Sequence, residues 1–140
     1  MIKKLIILCV ILYTTLNAIY IREDNSGKPV VLDTTTNLIW KDYSLESKSW
    51  KDAISACEDL EMGTYEDWRL PNYVELYSIV DLSKKSPAQS DIFQERSIEG
   101  YWTSTVFAPG YAWAIDFELG SNQHNYSLDE ELKVRCVHTR

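Results

Sequence analysis

Serine, cysteine and histidine are the residues whose chemistry could make this chain an enzyme. Nucleophilic catalysis needs an activated Ser or Cys with a base close by. Ser104 falls in a predicted strand, Cys57 falls on the apolar side of a predicted helix, and His124 lies in a polar segment. No spacing in the sequence pairs His124 with either nucleophile. We therefore predict no catalytic residue, and an enzyme of the cell envelope remains the alternative.

Cys57 and Cys136 are the two cysteines that follow the apolar N-terminal segment. An even pair in an exported domain most economically forms one disulfide. The bond would close a loop of about 80 residues, which is worth roughly 4 kcal/mol in the chain-entropy model. Two unpaired buried thiols are the alternative. Neither His124 nor His138 lies at ligand spacing from a cysteine, so we predict no metal site and no cofactor.

Two groups of charged residues resemble catalytic or metal-binding sets. Asp67, Arg69 and Glu75 have the types of an acid–base cluster, but Arg69 paired with a carboxylate would instead pin a corner of the chain. Residues 129–131 are three consecutive carboxylates, and carboxylate oxygens can bind calcium. Consecutive residues of a strand point to opposite faces, which favours a solvated turn.

Aromatic side chains crowd the last third of the chain beside polar residues. Flat rings next to polar groups can bind a sugar or a peptide. The alternative is that the same rings fill a small core. We expect a ligand to meet the loops at residues 84–98, 107–111 and 120–130. The candidate ligand-binding residues are Tyr101, Trp102, Tyr111, Trp113, Asn122, His124 and Tyr126.

The N-terminus has the three regions of a secretory signal. Lys3 and Lys4 are followed by an apolar run at residues 5–12, then by polar residues and Ala18. This order predicts a signal peptide over residues 1–18, and an uncleaved membrane anchor is the alternative. The apolar run is short for a spanning helix, so we expect no stable membrane insertion after cleavage. Residues 19–140 then form one exported domain, periplasmic or extracellular.

The charge balance bears on the partners of that domain. The chain has 14 Lys and Arg and 21 Asp and Glu residues. Without Lys3 and Lys4, twelve basic residues remain, and residues 19–140 carry a net charge of −9. Such a surface repels phosphate backbones, which argues against nucleic acid as a partner.

A helix is predicted from Ser49 to Gly63. Ser49 can cap it, Asp52 suits its positive N-terminus, and an apolar stripe runs through Trp50, Ala53, Ile54, Cys57 and Leu60. The stripe places Cys57 inside the protein.

A rigid corner follows, with the sequence "DWRLPNYVEL" at residues 67–76. Pro71 disfavours helix at the residue before it, and Asn72 with Glu75 has the spacing of a capping box. A second helix is therefore predicted to begin after Asn72 and to end near Asp81. The structural corner consists of Asp67, Trp68, Arg69, Pro71, Asn72 and Glu75.

The remaining segments are predicted as strands and loops. Residues 20–28 read as a polar lead-in and residues 29–40 as two strands about a turn. Residues 82–98 read as a surface loop. Strands are predicted at residues 101–107, 111–120 and 132–139, with a polar turn near 120–130. The fold class is α+β, with two helices packed on a small antiparallel sheet meander.

Six motifs in order resemble the Lcl C-terminal domain family of exported bacterial proteins. They are "DTTTNLIW", "AISACEDL", "DWRLPNYVEL", "YWTST", "AWAIDFELG" and "VRCVH", and their order and spacing cover about residues 30–138. Asn37 stands where the family usually has Gly. The resemblance implies a C-type-lectin-like fold with a distant fold kinship to formylglycine-generating enzymes.

Function does not follow from a fold alone. The founding adhesin of the family is associated with sulfated polysaccharide, which a chain of this charge suits poorly. We expect an exported, non-enzymatic binding or adhesion module for a glycan or a cell-surface protein. The alternatives are an envelope enzyme or enzyme accessory related to the formylglycine group, and a structural envelope protein.

Overall fold

The computed structural model describes residues 19–140, with the backbone alone at residues 121–124. The predicted signal peptide lies outside the described residues. Within that range no helix is long and apolar enough to cross a bilayer. The helices are α1 (Trp50–Glu58) and α2 (Tyr73–Tyr77). The strands are β1 (Tyr20–Asn25), β2 (Lys28–Asp33), β3 (Leu38–Lys41), β4 (Leu45–Lys48), β5 (Gly100–Ala108), β6 (Tyr111–Asp116), β7 (Ser121–Ser127), β8 (Leu132–Val134) and β9 (Val137–Thr139).

The first sheet has the order β1-β2-β3-β9 and is antiparallel throughout. The predicted turn between β2 and β3 is confirmed, since the Asp33 carboxylate accepts hydrogen bonds from the amides of Thr35 and Thr36. Asn37 has a φ of 60°, a left-handed conformation that Asn tolerates better than most residues. The lead-in predicted at residues 20–28 is wrong, because β1 pairs with β2 along its whole length.

The second sheet has the order β4-β8-β5-β6-β7. Strands β5, β6 and β7 form the predicted antiparallel meander. Strand β8 then joins the opposite side of β5 in parallel and pairs antiparallel with β4. The fold is therefore a small, mostly β form of α+β, built on two sheets where the sequence predicted one.

The closing strand predicted at residues 132–139 is in fact two strands in two sheets. The chain leaves the second sheet after β8 and enters the first at β9, with Arg135 and Cys136 between them. The Arg135 guanidinium is fully buried and donates to the backbone carbonyls of Lys41, Asp42 and Glu95. Burial lowers the pKa of Arg135. A buried cation with three acceptors fixes the crossing between the sheets.

Helix α1 has the predicted start and the predicted disulfide. Ser49 caps it by accepting a hydrogen bond from the Asp52 amide. Ala53 and Cys57 are fully buried, and Cys57 is bonded to Cys136 with Cα atoms 5.5 Å apart. The disulfide prediction is confirmed, and the alternative of two free thiols is excluded. The bond joins α1 to the crossing between the sheets.

The second sheet is covered on both faces. Trp102, Ala112 and Ala114 pack with α1 in one core cluster. Tyr101 and Ile115 pack with Leu76 of α2 in the other. The two faces of β6 therefore contribute to different core clusters, Ala112 and Ala114 to the one with α1 and Ile115 to the one with α2.

Candidate binding surface

The structural corner, which we call the Arg69 corner, is held together by hydrogen bonds of its side chains. The Arg69 guanidinium donates to both carboxylate oxygens of Glu75 at 2.7 Å and to the Thr139 hydroxyl at 2.8 Å. Trp68 is 1% exposed, and its indole N–H donates to the Tyr65 carbonyl. Arg69 and Val137 also exchange two backbone hydrogen bonds. The corner is therefore anchored to the first sheet.

The predicted capping box at the start of α2 is confirmed. The Asn72 side chain accepts from the Glu75 amide at 2.9 Å, and the Asn72 amide donates to the Glu75 carboxylate at 2.8 Å. Burial alone would raise the pKa of Glu75, but hydrogen bonds from Arg69 and Asn72 and the Arg69 charge outweigh it and hold that pKa below its ordinary value. Asp67, in the left-handed region at φ 55°, turns the chain into the corner, and Pro71 is buried.

The corner also fixes α2 against the second sheet. The Ser104 amide donates to the Pro71 carbonyl at 2.8 Å, and the Tyr73 amide donates to the Thr105 hydroxyl at 2.9 Å. The first turn of α2 is thus bonded to β5. Its aromatic side chains come to lie over the outer part of the β5–β6 hairpin.

Four rings, which we call the aromatic row, follow one another across this region. Phe107 meets Trp113 edge-on with ring centres 5.0 Å apart, and Trp113 lies 5.7 Å from Tyr73. Tyr73 stacks on Tyr77 at 6.1 Å with 9° between the ring planes. Phe107 is 50% exposed, while the other three rings are half-buried. These contacts join the four rings into one row, in which Tyr73 and Tyr77 also pack against the core cluster that contains Leu76.

The strand part of the aromatic row lies in an uncharged stretch of the sequence. Tyr111, two residues before Trp113 on the same strand face, is exposed, and so is Val74, which follows Tyr73 in α2. The exposed Asn125 is the cross-strand partner of Trp113, so its amide lies on the same face. No Asp, Glu, Lys or Arg occurs from residue 100 to residue 115. In an acidic protein this is an unusual surface, and contiguous exposed apolar groups often mark a binding site.

Two of the predicted ligand-binding residues belong to the core instead. Tyr101 and Trp102 have no exposed surface, and the Trp102 indole donates to the Lys48 carbonyl at 2.8 Å. No ligand can reach them, because both faces of β5 are covered at this point. Tyr126 is half-buried, pairs with Ala112, and meets Trp102 edge-on. It therefore lies on the face opposite the aromatic row.

The structure describes the side chains of two of the other predicted candidates and only the backbone of the remaining two. Tyr111 is exposed and Trp113 is part of the aromatic row. The backbones of Asn122 and His124 lie in β7, but their side chains are outside the described residues. The polar turn predicted at residues 120–130 is wrong over its first half, where β7 pairs with β6.

Tyr73 and Tyr77 of the aromatic row were not among the predicted site residues, and Phe107 was predicted only as part of the 107–111 loop. Tyr73 and Tyr77 are four residues apart, a spacing that places two rings on one helix face. That spacing could have indicated a ring pair. Phe107 gave no comparable signal, since its contact with Trp113 depends on how the hairpin folds back.

A cavity in another part of the surface has an acidic lining. A cavity of about 690 Å³ is lined by Glu58, Asp59, Glu61, Glu66 and Asp67 among others. Within the described part of the chain, no three His, Cys, Asp or Glu side chains are arranged to hold a metal ion. Residues 129–131 are exposed, and Glu130 accepts a hydrogen bond from the Ser127 amide.

Fold and surface together define a small, disulfide-bonded α+β domain with an uncharged aromatic face. The family model of the Lcl C-terminal domain matches residues 29–138, and the chain belongs to that family. No curated protein matches the chain. The matched range contains both sheets apart from β1, the first residue of β2 and the last residue of β9, and it includes the whole aromatic row.

Proposed function

We propose that this protein is an exported, non-enzymatic binding or adhesion module that recognises a neutral glycan through the aromatic row. The carrying observation is the fixed, part-exposed arrangement of Phe107, Trp113 and Tyr73 on an uncharged surface. Export is supported by the disulfide, which forms and persists in oxidising compartments. We further propose that the two-sheet fold is C-type-lectin-like.

Ring chemistry explains why a sugar suits this surface. The faces of aromatic rings are electron-rich, and the C–H groups of a pyranose ring carry a partial positive charge. A sugar can therefore lie against the exposed part of Trp113 or Phe107 and shield apolar area from water. The Asn125 amide, on the same face, offers one donor pair and one acceptor for hydroxyl groups.

Charge favours a neutral glycan over an anionic one. Residues 19–140 carry a net charge of −9, and no basic residue lies between residues 100 and 115. A sulfated or uronic-acid glycan would approach a surface that repels it and would find no cation there. A neutral glycan meets no such barrier.

The described residues also favour binding over catalysis. Cys57 and Cys136 are joined to each other, so neither is available as a thiolate nucleophile or metal ligand. Arg69 and Glu75 are paired with each other, which supports a structural role for this part of the corner.

The test is a glycan array on the purified residues 19–140, with and without a calcium chelator. We expect binding to neutral glycans that is unchanged by the chelator. Binding that disappears with chelation would indicate a calcium-dependent binding site and would contradict binding through the aromatic row. Silence on neutral glycans combined with binding to sulfated ones would overturn the proposal.

A pair of variants assigns the signal to the surface. Trp113→Ala should abolish detectable array binding, because it removes the central ring of the row. Tyr43→Ala is the matched control, since Tyr43 is 43% exposed and lies between β3 and β4 in another part of the fold. Equal losses in both variants would show that binding does not use the aromatic row.

A further inference from the structure

The open edges of the two sheets differ in how they are protected. Edge strands present unpaired backbone groups, and proteins blunt them with charge, shortness or bulges. Strand β1 carries Arg22, Glu23 and Asp24, and β4 is short and carries Glu46 and Lys48. Strand β9 has three residues. Strand β7 has seven residues and no charged residue, its one irregularity lies between Ser121 and His124, and it pairs with β6 alone within the described part of the chain.

The hydrogen-bond pattern shows which groups of β7 face outwards. The Leu128 amide donates to the Gly110 carbonyl at 3.1 Å, which makes Tyr111 and Ser127 a non-hydrogen-bonded pair. Pairs alternate along an antiparallel ladder, so Trp113 and Asn125 form the next non-hydrogen-bonded pair. The N–H and C=O of Asn125 therefore point away from β6.

The end of β7 is closed by the chain itself, whereas its middle is open. The outward amide of Ser127 donates to the Glu130 carboxylate, and the Ser127 carbonyl accepts from the Glu130 amide. Asn125 is the next outward residue and is exposed. The register of β7 on β6 shifts between the pairs Ala114–His124 and Asp116–Ser121, so the regular open part of the edge lies around Asn125.

We propose that a second copy of this chain docks here, with β7 pairing antiparallel to β7 of its partner. An antiparallel edge is complementary to itself under a two-fold rotation, as a symmetric dimer requires. Charge supports a second copy as the occupant: two chains of net charge −9 repel each other, and Asp116 and Glu118 are the only charged residues between Gly100 and Leu128 in the sequence. Apart from Glu130, which lies at the end of β7, the β5–β6–β7 region therefore brings few charges to the contact between two copies.

The pairing has a consequence for ligand binding. A two-fold axis perpendicular to the sheet keeps the same face of both copies on the same side. Both aromatic rows then lie on one face of a continuous ten-stranded sheet, with the two β6 strands three strand spacings apart, about 14 Å. Two sites at fixed spacing bind a polymeric ligand with avidity. The dimer itself does not depend on the ligand being a glycan.

The first test is the oligomeric state of residues 19–140 by sedimentation equilibrium over a range of protein concentrations. We expect the weight-average mass to double as concentration rises. Asn125→Pro removes the outward N–H and no bond to β6, a position where an edge strand tolerates proline. It should stay folded and monomeric. Asn125→Ala keeps the N–H and should dimerise like the wild type.

Amide exchange provides a measurement that needs no variant. The Asn125 amide should exchange more slowly at concentrations where the dimer forms, because a hydrogen bond to the partner then protects it. A monomer at every concentration, or a dimer in which the Asn125 amide stays unprotected, would overturn the proposal. Trp113→Ala should lose the ligand yet still dimerise, so failure of the glycan proposal and failure of the dimer are distinguishable.

Discussion

The Arg69 corner and the aromatic row are neighbours that differ in exposure. The groups of the corner are hydrogen-bonded or buried, whereas those of the row are partly exposed to solvent. In the corner, Arg69, Asn72 and Glu75 are bonded to one another, and Trp68 is buried. In the row, Trp113 and Phe107 keep exposed ring surface beside Asn125, which also faces solvent. A group that already has its partner stabilises the fold, whereas an exposed group with a fixed orientation can serve a ligand. The corner positions α2, and α2 supplies half of the row.

Removal of the disulfide should cause the largest loss of stability. Replacing Cys57 and Cys136 by Ser should lower the free energy of unfolding by about 4 kcal/mol, since the bond closes a loop with a sequence separation of 79. Urea unfolding of the oxidised wild type and the double variant measures this. Reduction of the wild type is the control and should give a similar loss. A loss below about 1 kcal/mol would mean that the crossing between the sheets is held mainly by Arg135.

The corner itself should give a smaller effect that depends on pH. Glu75→Gln should cost about 1–2 kcal/mol at neutral pH, because it weakens a bidentate pair whose Arg69 partner is 37% exposed and partly screened. The pKa of Glu75 is lower in the folded than in the unfolded chain. The pair therefore stabilises the fold above the unfolded pKa of about 4.3, and this contribution is lost as pH falls through the folded value.

Urea unfolding at neutral and at acidic pH checks the sign. The difference between wild type and Glu75→Gln should shrink as the pH drops. The exposed Glu66 lies in the same segment, so Glu66→Gln should change stability little at either pH. A difference for Glu75→Gln that stays constant down to low pH would contradict the ion-pair account, because Gln can still accept the capping hydrogen bond from the Asn72 amide.

The aromatic row should show the reverse pattern, with affinity changing more than stability. Phe107→Ala should alter the free energy of unfolding by no more than about 1 kcal/mol, as expected for a half-exposed ring. Its affinity for the glycan found on the array should fall roughly tenfold, equivalent to about 1.4 kcal/mol. Leu119→Ala, at a residue that is 62% exposed, is the matched control. Loss of stability without loss of affinity in Phe107→Ala would place Phe107 with the corner.

The sequence predicted what local chemistry determines. The Ser49 cap, the Asn72–Glu75 capping box and the inward side of Cys57 all depend on residues within one or two helical turns. The disulfide was predicted by counting the cysteines that follow the predicted signal peptide. These features were predictable because few other local structures satisfy the same residues.

The sequence did not predict what long-range packing decides. From the sequence, Tyr101 and Trp102 were predicted to contact a ligand. In the structure both are buried, because both faces of β5 are covered at this point. The residues around Arg135 read as one strand, because nothing nearby shows that three distant carbonyls bind its side chain. Strand β7 reads as a turn from its polar residues, and its pairing with β6 defines it as a strand.

The most direct test of the central claim is the titration of the indole N–H resonances of residues 19–140 with the bound glycan. The five tryptophans report separately on the two regions: the indoles of Trp50, Trp68 and Trp102 donate to backbone carbonyls, and that of Trp40 is buried. We expect the Trp113 resonance to shift with the ligand and the Trp68 resonance to stay in place. A Trp68 shift with an unmoved Trp113 would place the ligand at the corner or its acidic cavity and contradict the account.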